Sequence, residues 1–292
     1  MFHGWVVGAR LIDVLIYFMV LIIAITATND THPLHTHRPQ HFYHNKTLLE
    51  YNNLLLEETA YKLLVDRIAE LSAGKILEQK SPFDDIIPSI DLSTQVVAKD
   101  KYITGYTAIK NIGKKFIVYG AGIANDPSFE ASMRNLGTSV YAFDCTINGN
   151  RNWGFRFIRW CIGTPKYDLK QSIYSRGVIN QNLTFKRISE IKKRLGHHRL
   201  DMFKLDIEGC EWDLLYEEIV NGADEDLPTQ LLFELHTEGA NWRFVPEAIV
   251  EGKRRLQVNQ LILDLYNRNY RVFHILLNDG DSFCAEISLY RT

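Results

Sequence analysis

D-M-F-K-L-D-I-E-G-C-E-W-D-L-L, residues Asp201–Leu215, reads as a strand, a turn and the start of a helix in one run. Met202, Phe203, Leu205 and Ile207 make the first part too apolar for a surface. Such a run suits a strand buried on both faces of a parallel sheet. Asp206 and Glu208 follow at its carboxyl end, Gly209 permits a sharp turn, and Trp212, Leu215, Ile219 and Val220 resume helical spacing. In open α/β sheets ligands bind outside the carboxyl ends of the strands, so these acids stand where chemistry is done. The alternative is a strand ending in a solvated acidic turn.

Upstream, Phe116–Tyr119 is a short apolar strand with Gly120-Ala-Gly122 at its end, and a helix follows over Pro127–Leu136. Asp126 is placed to cap that helix, and Pro127 suits its first position. Glycines here let a ligand approach the backbone, and the helix start offers N–H donors. Asn125 stands where a third glycine of G-x-G-x-x-G belongs. The next strand, Ser139–Phe143, ends in Asp144, at the spacing from the glycines where an acid reaches ribose hydroxyls. A third strand spans Phe155–Ile162, Tyr167–Gln181 is irregular, and Phe185–Leu195 reads as a helix with Thr184 as its cap.

Downstream, Gln230–Leu235 is a fifth strand, with Glu234 and His236 at its end. If it adjoins the Asp206 strand, then Asp206, Glu234 and His236 are neighbours able to bind a divalent cation or supply a general base. They are the catalytic and metal candidates; the alternative is that Glu234 and His236 only order the sheet edge. Trp242, Phe244 and Val245 are candidates for a lid. A helix over Arg254–Arg268, a strand over Tyr270–Leu277, a tight turn at Asn278-Asp-Gly280-Asp and a final strand over Phe283–Tyr290 complete the chain.

The 292 residues suffice for one large domain or two small ones, and 46% hydrophobic with 23% charged residues is an ordinary globular balance. A net charge of −2 argues against nucleic acid as the partner. Cys145, Cys161, Cys210 and Cys284 form no C-x-x-C, which disfavours structural zinc. Buried free thiols are the default, with a disulfide open to them if the chain is secreted.

The N-terminus carries Arg10 and an apolar run from Val14 to Ala27. It fits a cleaved signal peptide or, counted back to Val6, an uncleaved signal anchor; either way the body leaves the cytosol. Residues 29–46 form a His- and Pro-rich linker, and Asn29, Asn45 and Asn182 each begin an N-x-[ST] acceptor for glycosylation. Thr47–Gln79 has helical periodicity, with Leu48, Tyr51, Leu55, Leu63, Ile68 and Leu71 on one stripe. Ser81–Tyr106 shows little pattern. The chain thus divides into a signal peptide or anchor (1–28), the linker (29–46), a helical stem and lead-in (47–114) and an α/β domain (115–292).

V-Y-G-A-G-I-A-N-D-P-S-F-E (Val118–Glu130), L-D-I-E-G-C-E-W (Leu205–Trp212) and F-E-L-H (Phe233–His236) resemble the methyltransferase-like protein 24 group and, more distantly, the FkbM-type methyltransferases. The strand–helix order resembles class I S-adenosylmethionine methyltransferases generally. The resemblance implies a Rossmann-like seven-stranded sheet with its last strand antiparallel. It implies S-adenosylmethionine in the crevice, with Gly120 and Gly122 beneath the methionine moiety, Asp144 on the ribose and Asp206 beside the sulfonium and the acceptor. The activity expected is methyl transfer to an oxygen or nitrogen nucleophile. Two other classes fit parts of the chain. An anchor, a stem and D-x-E at Asp206–Glu208 suit a Golgi-type glycosyltransferase, and a methyltransferase fold without cofactor affinity would be a binding module.

Overall fold

The strand Met202–Leu205 lies at the middle of a seven-stranded sheet. The computed structural model describes residues 48–74, 81–84, 86, 94–98, 100–147, 152–164, 183–240, 245 and 247–292. The N-terminal apolar run, the His/Pro linker, the three glycosylation acceptors, Tyr167–Gln181, Trp242 and Phe244 lie outside the described residues. Among the described residues no helix is long and apolar enough to cross a membrane.

The chain runs through α1 (Leu48–Ser72), β1 (Thr94–Ala98), β2 (Lys101–Thr104), α2 (Tyr106–Ile112), β3 (Ile117–Ala121), α3 (Ser128–Asn135), β4 (Ser139–Phe143), β5 (Arg156–Ile158), β6 (Cys161–Ile162) and β7 (Phe185–Lys186). It continues through α4 (Ile188–Leu195), β8 (Met202–Leu205), α5 (Glu211–Leu214), β9 (Gln230–His236), α6 (Glu247–Val250), α7 (Arg255–Asn267), β10 (Tyr270–Asn278) and β11 (Asp281–Arg291). The sheet order is β5-β4-β3-β8-β9-β11-β10. Only β11 runs against its neighbours. This is the Rossmann-like sheet with an antiparallel last strand that the sequence predicts. From β3 the chain winds outward to β4 and β5, then returns to β8 on β3's other side. The switch in strand order therefore falls between β3 and β8, and open α/β sheets bind ligands at the carboxyl ends of the strands at such a point.

Alternation along the central strands divides the core. Tyr119, Phe203, Leu205, Leu231 and Phe233 pack on one face beneath α5 and α7, in a cluster that includes Leu215 and Leu261. Val118, Met202 and Leu232 face the other way, against Ile103, Phe129 and Met133. On that second face the β1–β2 hairpin packs over the sheet. The segment Ser81–Tyr106, patternless in sequence, contains this hairpin. Gln230 ties it down, its side-chain oxygen accepting the Thr104 N–H at 3.2 Å and its amide donating to the Thr104 carbonyl at 2.9 Å.

Residues 50–292 form one compact unit. Helix α1 buries Ala60 and Leu64. It does not bury the stripe read from sequence: Leu55 and Leu63 are exposed. Adjacent leucines at 54–56 and 63–64 let the apolar pattern fit more than one phase. The phase is set by Glu57, which pairs with Arg271, and by Tyr61, whose ring lies 4.7 Å from that of Tyr266.

Three further expectations need correction. The strand read over Phe155–Ile162 is two short strands in different sheets, because Trp160 donates its N–H back to Ile158 at 2.8 Å and turns the chain. The helix read over Phe185–Leu195 begins only at Ile188, so Thr184 does not cap it; Phe185 pairs instead with Cys161. Two of the four cysteines read as thiols, Cys145 and Cys161, are joined in a disulfide, while Cys210 and Cys284 are free. That bond closes a loop of sequence separation 16 directly after Asp144. Replacing both cysteines by serine should lower the unfolding free energy by about 3 kcal/mol, read from urea midpoints at unchanged m-value.

Candidate active site

The end of β3 and the end of β8 meet backbone to backbone. Gly122 has φ +72°, and a Cβ there would stand 1.6 Å from the Asp206 carbonyl oxygen. Asp206 in turn donates its N–H to the Ala121 carbonyl at 3.1 Å. Only glycine allows this approach, so the first glycine turn and the D-x-E-G turn form one unit. Gly120 lies inside β3, opposite Ala142, rather than in the turn itself. Asp144 holds the turn from the β4 side. Its Oδ2 accepts the Ala124 N–H at 2.9 Å, and its Oδ1 accepts the Thr146 N–H at 2.8 Å and the Thr146 hydroxyl at 2.6 Å. Among the described residues Ala124 is one of three non-glycine residues with positive φ, at 42°, and the Asp144 bond stabilises it there.

The second turn is built by Glu211. This carboxylate has no solvent exposure. Its two oxygens accept the N–H groups of Ile207 at 2.6 Å and Gly209 at 2.8 Å. Glu208 sits at φ +58° and Gly209 at φ +97°, the latter against Val245, Ile249 and Val250. Trp212 is buried and donates its indole N–H to the His236 carbonyl at 2.7 Å, which fixes the end of β9. In D-I-E-G-C-E-W the second Glu and the Trp thus order the loop, while Asp206 and Glu208 face the crevice end.

The structure brings the three catalytic candidates together. Asp206 and Glu234 are hydrogen-bonded through their carboxyl groups. Burial and the Asp206 charge push the Glu234 pKa up. Burial opposes ionisation of Asp206, but Lys204, Lys101 and His236 outweigh it and hold its pKa low. Of the two, Glu234 is the one pushed toward its neutral form. His236 is buried, with Nδ1 3.4 Å from Glu211 and Nε2 3.8 Å from Glu208 and 3.9 Å from Glu234. Burial lowers its pKa, yet Glu211, Glu234 and Asp206 raise it to about 10. At neutral pH His236 is an imidazolium, a charge partner or proton donor rather than the general base expected from sequence.

Four residues without a place in the sequence reading complete the cluster. Lys204 Nζ donates to the Gly122 carbonyl at 2.8 Å and to the Ala121 carbonyl at 3.4 Å, and lies 3.5 Å from Asp206. It ties the glycine turn to Asp206. The signal was present, since a lysine inside the apolar run F-K-L needs a buried partner. Lys101 of β2 pairs with Glu286 of β11, and Asn278 donates to Glu234 at 3.1 Å. The β1–β2 hairpin thereby contributes charge to the site.

Two of the three cation candidates, Glu234 and His236, also stand beside Cys284. Among the described residues, the group whose ligand atoms lie mutually within 4.8 Å is Glu234, His236 and Cys284. Burial pushes the Cys284 thiol pKa well up, and burial with the Asp206 charge raises that of Glu234. A cation bound there would have to displace protons from these donors.

Residues 97–290 match the model of a family described as "Methyltransferase domain". The chain is 30% identical over 128 residues to probable methyltransferase-like protein 24 of Rattus norvegicus, covering 41% of this chain and 32% of the relative. The Homo sapiens protein of the same name is 27% identical over 128 residues. The chain thus spans about a third of the length of these relatives (32% of each). Among solved structures, an rRNA methylase from Streptococcus thermophilus is 12% identical, at a TM-score of 0.32 over 64% of this chain and 93% of that one. A 16S rRNA (adenine(1408)-N(1))-methyltransferase with cosubstrate SAM, from Catenulisporales acidiphilia, is 12% identical, at a TM-score of 0.36 over 69% of this chain and 98% of that one. At those scores neither likeness adds to what the strand order shows.

Proposed function

Since the chain belongs to the methyltransferase domain family, matched over residues 97–290, we propose that it is an S-adenosylmethionine-dependent methyltransferase acting on an oxygen or nitrogen nucleophile. The observation that carries this reading is the junction of Gly122 with Asp206 at the switch between β3 and β8, where open α/β sheets bind ligands. The residues fit the cofactor. Gly122 lets the ends of β3 and β8 close into one turn, Asp144 stands at the end of the next strand for the ribose, and an ionised Asp206 favours a cation at the strand end.

When bound, S-adenosylmethionine supplies an electrophilic methyl group on a sulfonium; the acceptor gains the methyl group, loses a proton, and leaves a thioether. The chain's contribution is alignment, through the rigid pair of turns, and charge. Asp206 is the group positioned to take the acceptor's proton, with Glu234 hydrogen-bonded to it. His236, as an imidazolium, offsets the negative charge of Asp206, Glu211 and Glu208. The acceptor is the unidentified partner.

We also place the chain in the secretory pathway, as a secreted or type II membrane protein held through its N-terminal segment when that is uncleaved. The Cys145–Cys161 disulfide supports this, because such bonds persist in oxidising compartments.

The test is calorimetry of the full chain with S-adenosylmethionine and S-adenosylhomocysteine, with Asp144→Ala as the comparison. Saturable binding, weakened at least about tenfold in the variant, is the expected result, since hydrogen bonds to a charged group contribute about 1.5–3 kcal/mol. A folded chain that binds neither ligand would sink the reading. Binding of a nucleotide sugar instead would favour a glycosyltransferase, and binding of neither class an inactive module.

A further inference from the structure

Glu130, in the first turn of α3, has no solvent exposure, and neither carboxylate oxygen has a hydrogen-bond partner among the described residues. Its Oε1 packs on Gly120, so closely that a Cβ at that glycine would stand 2.2 Å away. The carboxyl group therefore fills the space beside β3, two residues before the Gly122 turn. An orphaned buried acid costs stability unless something repays it on binding.

The other two acids at the turn are already engaged. Asp144 accepts three hydrogen bonds from Ala124 and Thr146. Asp206 has Lys204 at 3.5 Å and the Glu234 hydrogen bond. Lys204, Asp206 and Lys101 are the charged groups whose fields reach Glu130, and Lys204 has its ammonium directed at the Ala121 and Gly122 carbonyls. Resting on the methyltransferase reading above, we infer that Glu130 is the counter-charge for the ammonium group of the cofactor's methionine moiety. It is a positioning residue for the cofactor, and the absent side chain at Gly120 is what lets a helix residue take this place. Burial raises its pKa, and an ammonium ion brought to the turn would lower it, so binding should release protons.

Two ligands separate this role from a structural one. S-Adenosylhomocysteine and methylthioadenosine share the adenosine and the sulfur, but only the first carries the amino-acid end. Glu130→Gln should weaken S-adenosylhomocysteine at least about tenfold and leave methylthioadenosine within about twofold, as expected for loss of a charge-assisted bond to one ligand only. Wild-type affinity for S-adenosylhomocysteine in the variant, or an equal loss for both ligands, would overturn the assignment. If the variant does not fold, the wild-type chain decides. Calorimetry in two buffers of different ionisation enthalpy should show proton release with S-adenosylhomocysteine and none with methylthioadenosine, and the preference for the former should grow with pH. Equal proton release overturns the inference. A wild-type chain that binds neither ligand overturns the methyltransferase reading and this role with it; binding that ignores Glu130 overturns this role alone.

Discussion

Gly122→Ala should eliminate cofactor binding and destabilise the fold by about 4 kcal/mol or more, the range reserved for steric faults with no room to relax. The new Cβ would meet the Asp206 carbonyl oxygen at 1.6 Å and its carbon at 2.6 Å. Both atoms are backbone, in the central strand's own turn, so no rotamer change relieves the contact. Separating β3 from β8 breaks the Asp206 N–H bond to Ala121 and the Lys204 bond to Gly122 together. Gly196→Ala is the matched control. Gly196 has the same φ of +72° but nothing within 4 Å of a Cβ. It should cost only about 1–2 kcal/mol, the left-handed backbone term alone. Urea unfolding of both variants measures the difference. Equal costs would mean that strain, and not the approach of the two turns, makes Gly122 necessary.

Glu211→Ala should cost about 3–5 kcal/mol, the usual result of removing one partner from a buried charged pair. The substitution orphans the N–H groups of Ile207 and Gly209 and takes from His236 the carboxylate that does most to keep it charged. Glu211→Gln separates the two effects, since it keeps an acceptor but removes the charge. The sign follows from linkage: the folded His236 pKa lies near 10, above its ordinary value of 6.5. The stability it contributes is therefore complete below pH 6.5 and is lost as pH rises towards and through 10. Wild-type stability should fall across that window, and fall less steeply in Glu211→Gln. A wild-type curve flat from pH 6.5 to 10 would show that His236 is neutral in the folded chain.

The strands of the candidate site were legible because an apolar run that ends in acids is a local signal. Apolar β8 and β9 each end in acids, and the adjacency that the sequence leaves as a condition is met in the sheet, which brings Asp206, Glu234 and His236 together. Protonation states were not legible, because they depend on charges from distant elements. His236 answers to Glu211 across the turn, while Lys101 reaches Asp206 from a hairpin about a hundred residues upstream. The hairpin itself escaped notice because Thr94–Ala98 offers no clean alternation and its strands are short. Helix α1 was legible as a helix but not in its phase, since runs of adjacent leucines carry no direction. Glu130 carries no signal in the sequence, and only the packing against Gly120 marks it as unpaired.

The bond between Cys145 and Cys161 has a practical side. The residue before Cys145 is Asp144, which both shapes the glycine turn and stands at the ribose position. Material produced in a bacterial cytosol would leave the two sulfurs reduced and that loop untied. A titration on such a preparation could return no heat and pass for evidence of a dead enzyme. Thiol counting of the purified sample, two free sulfhydryls against four, belongs before any ligand is added.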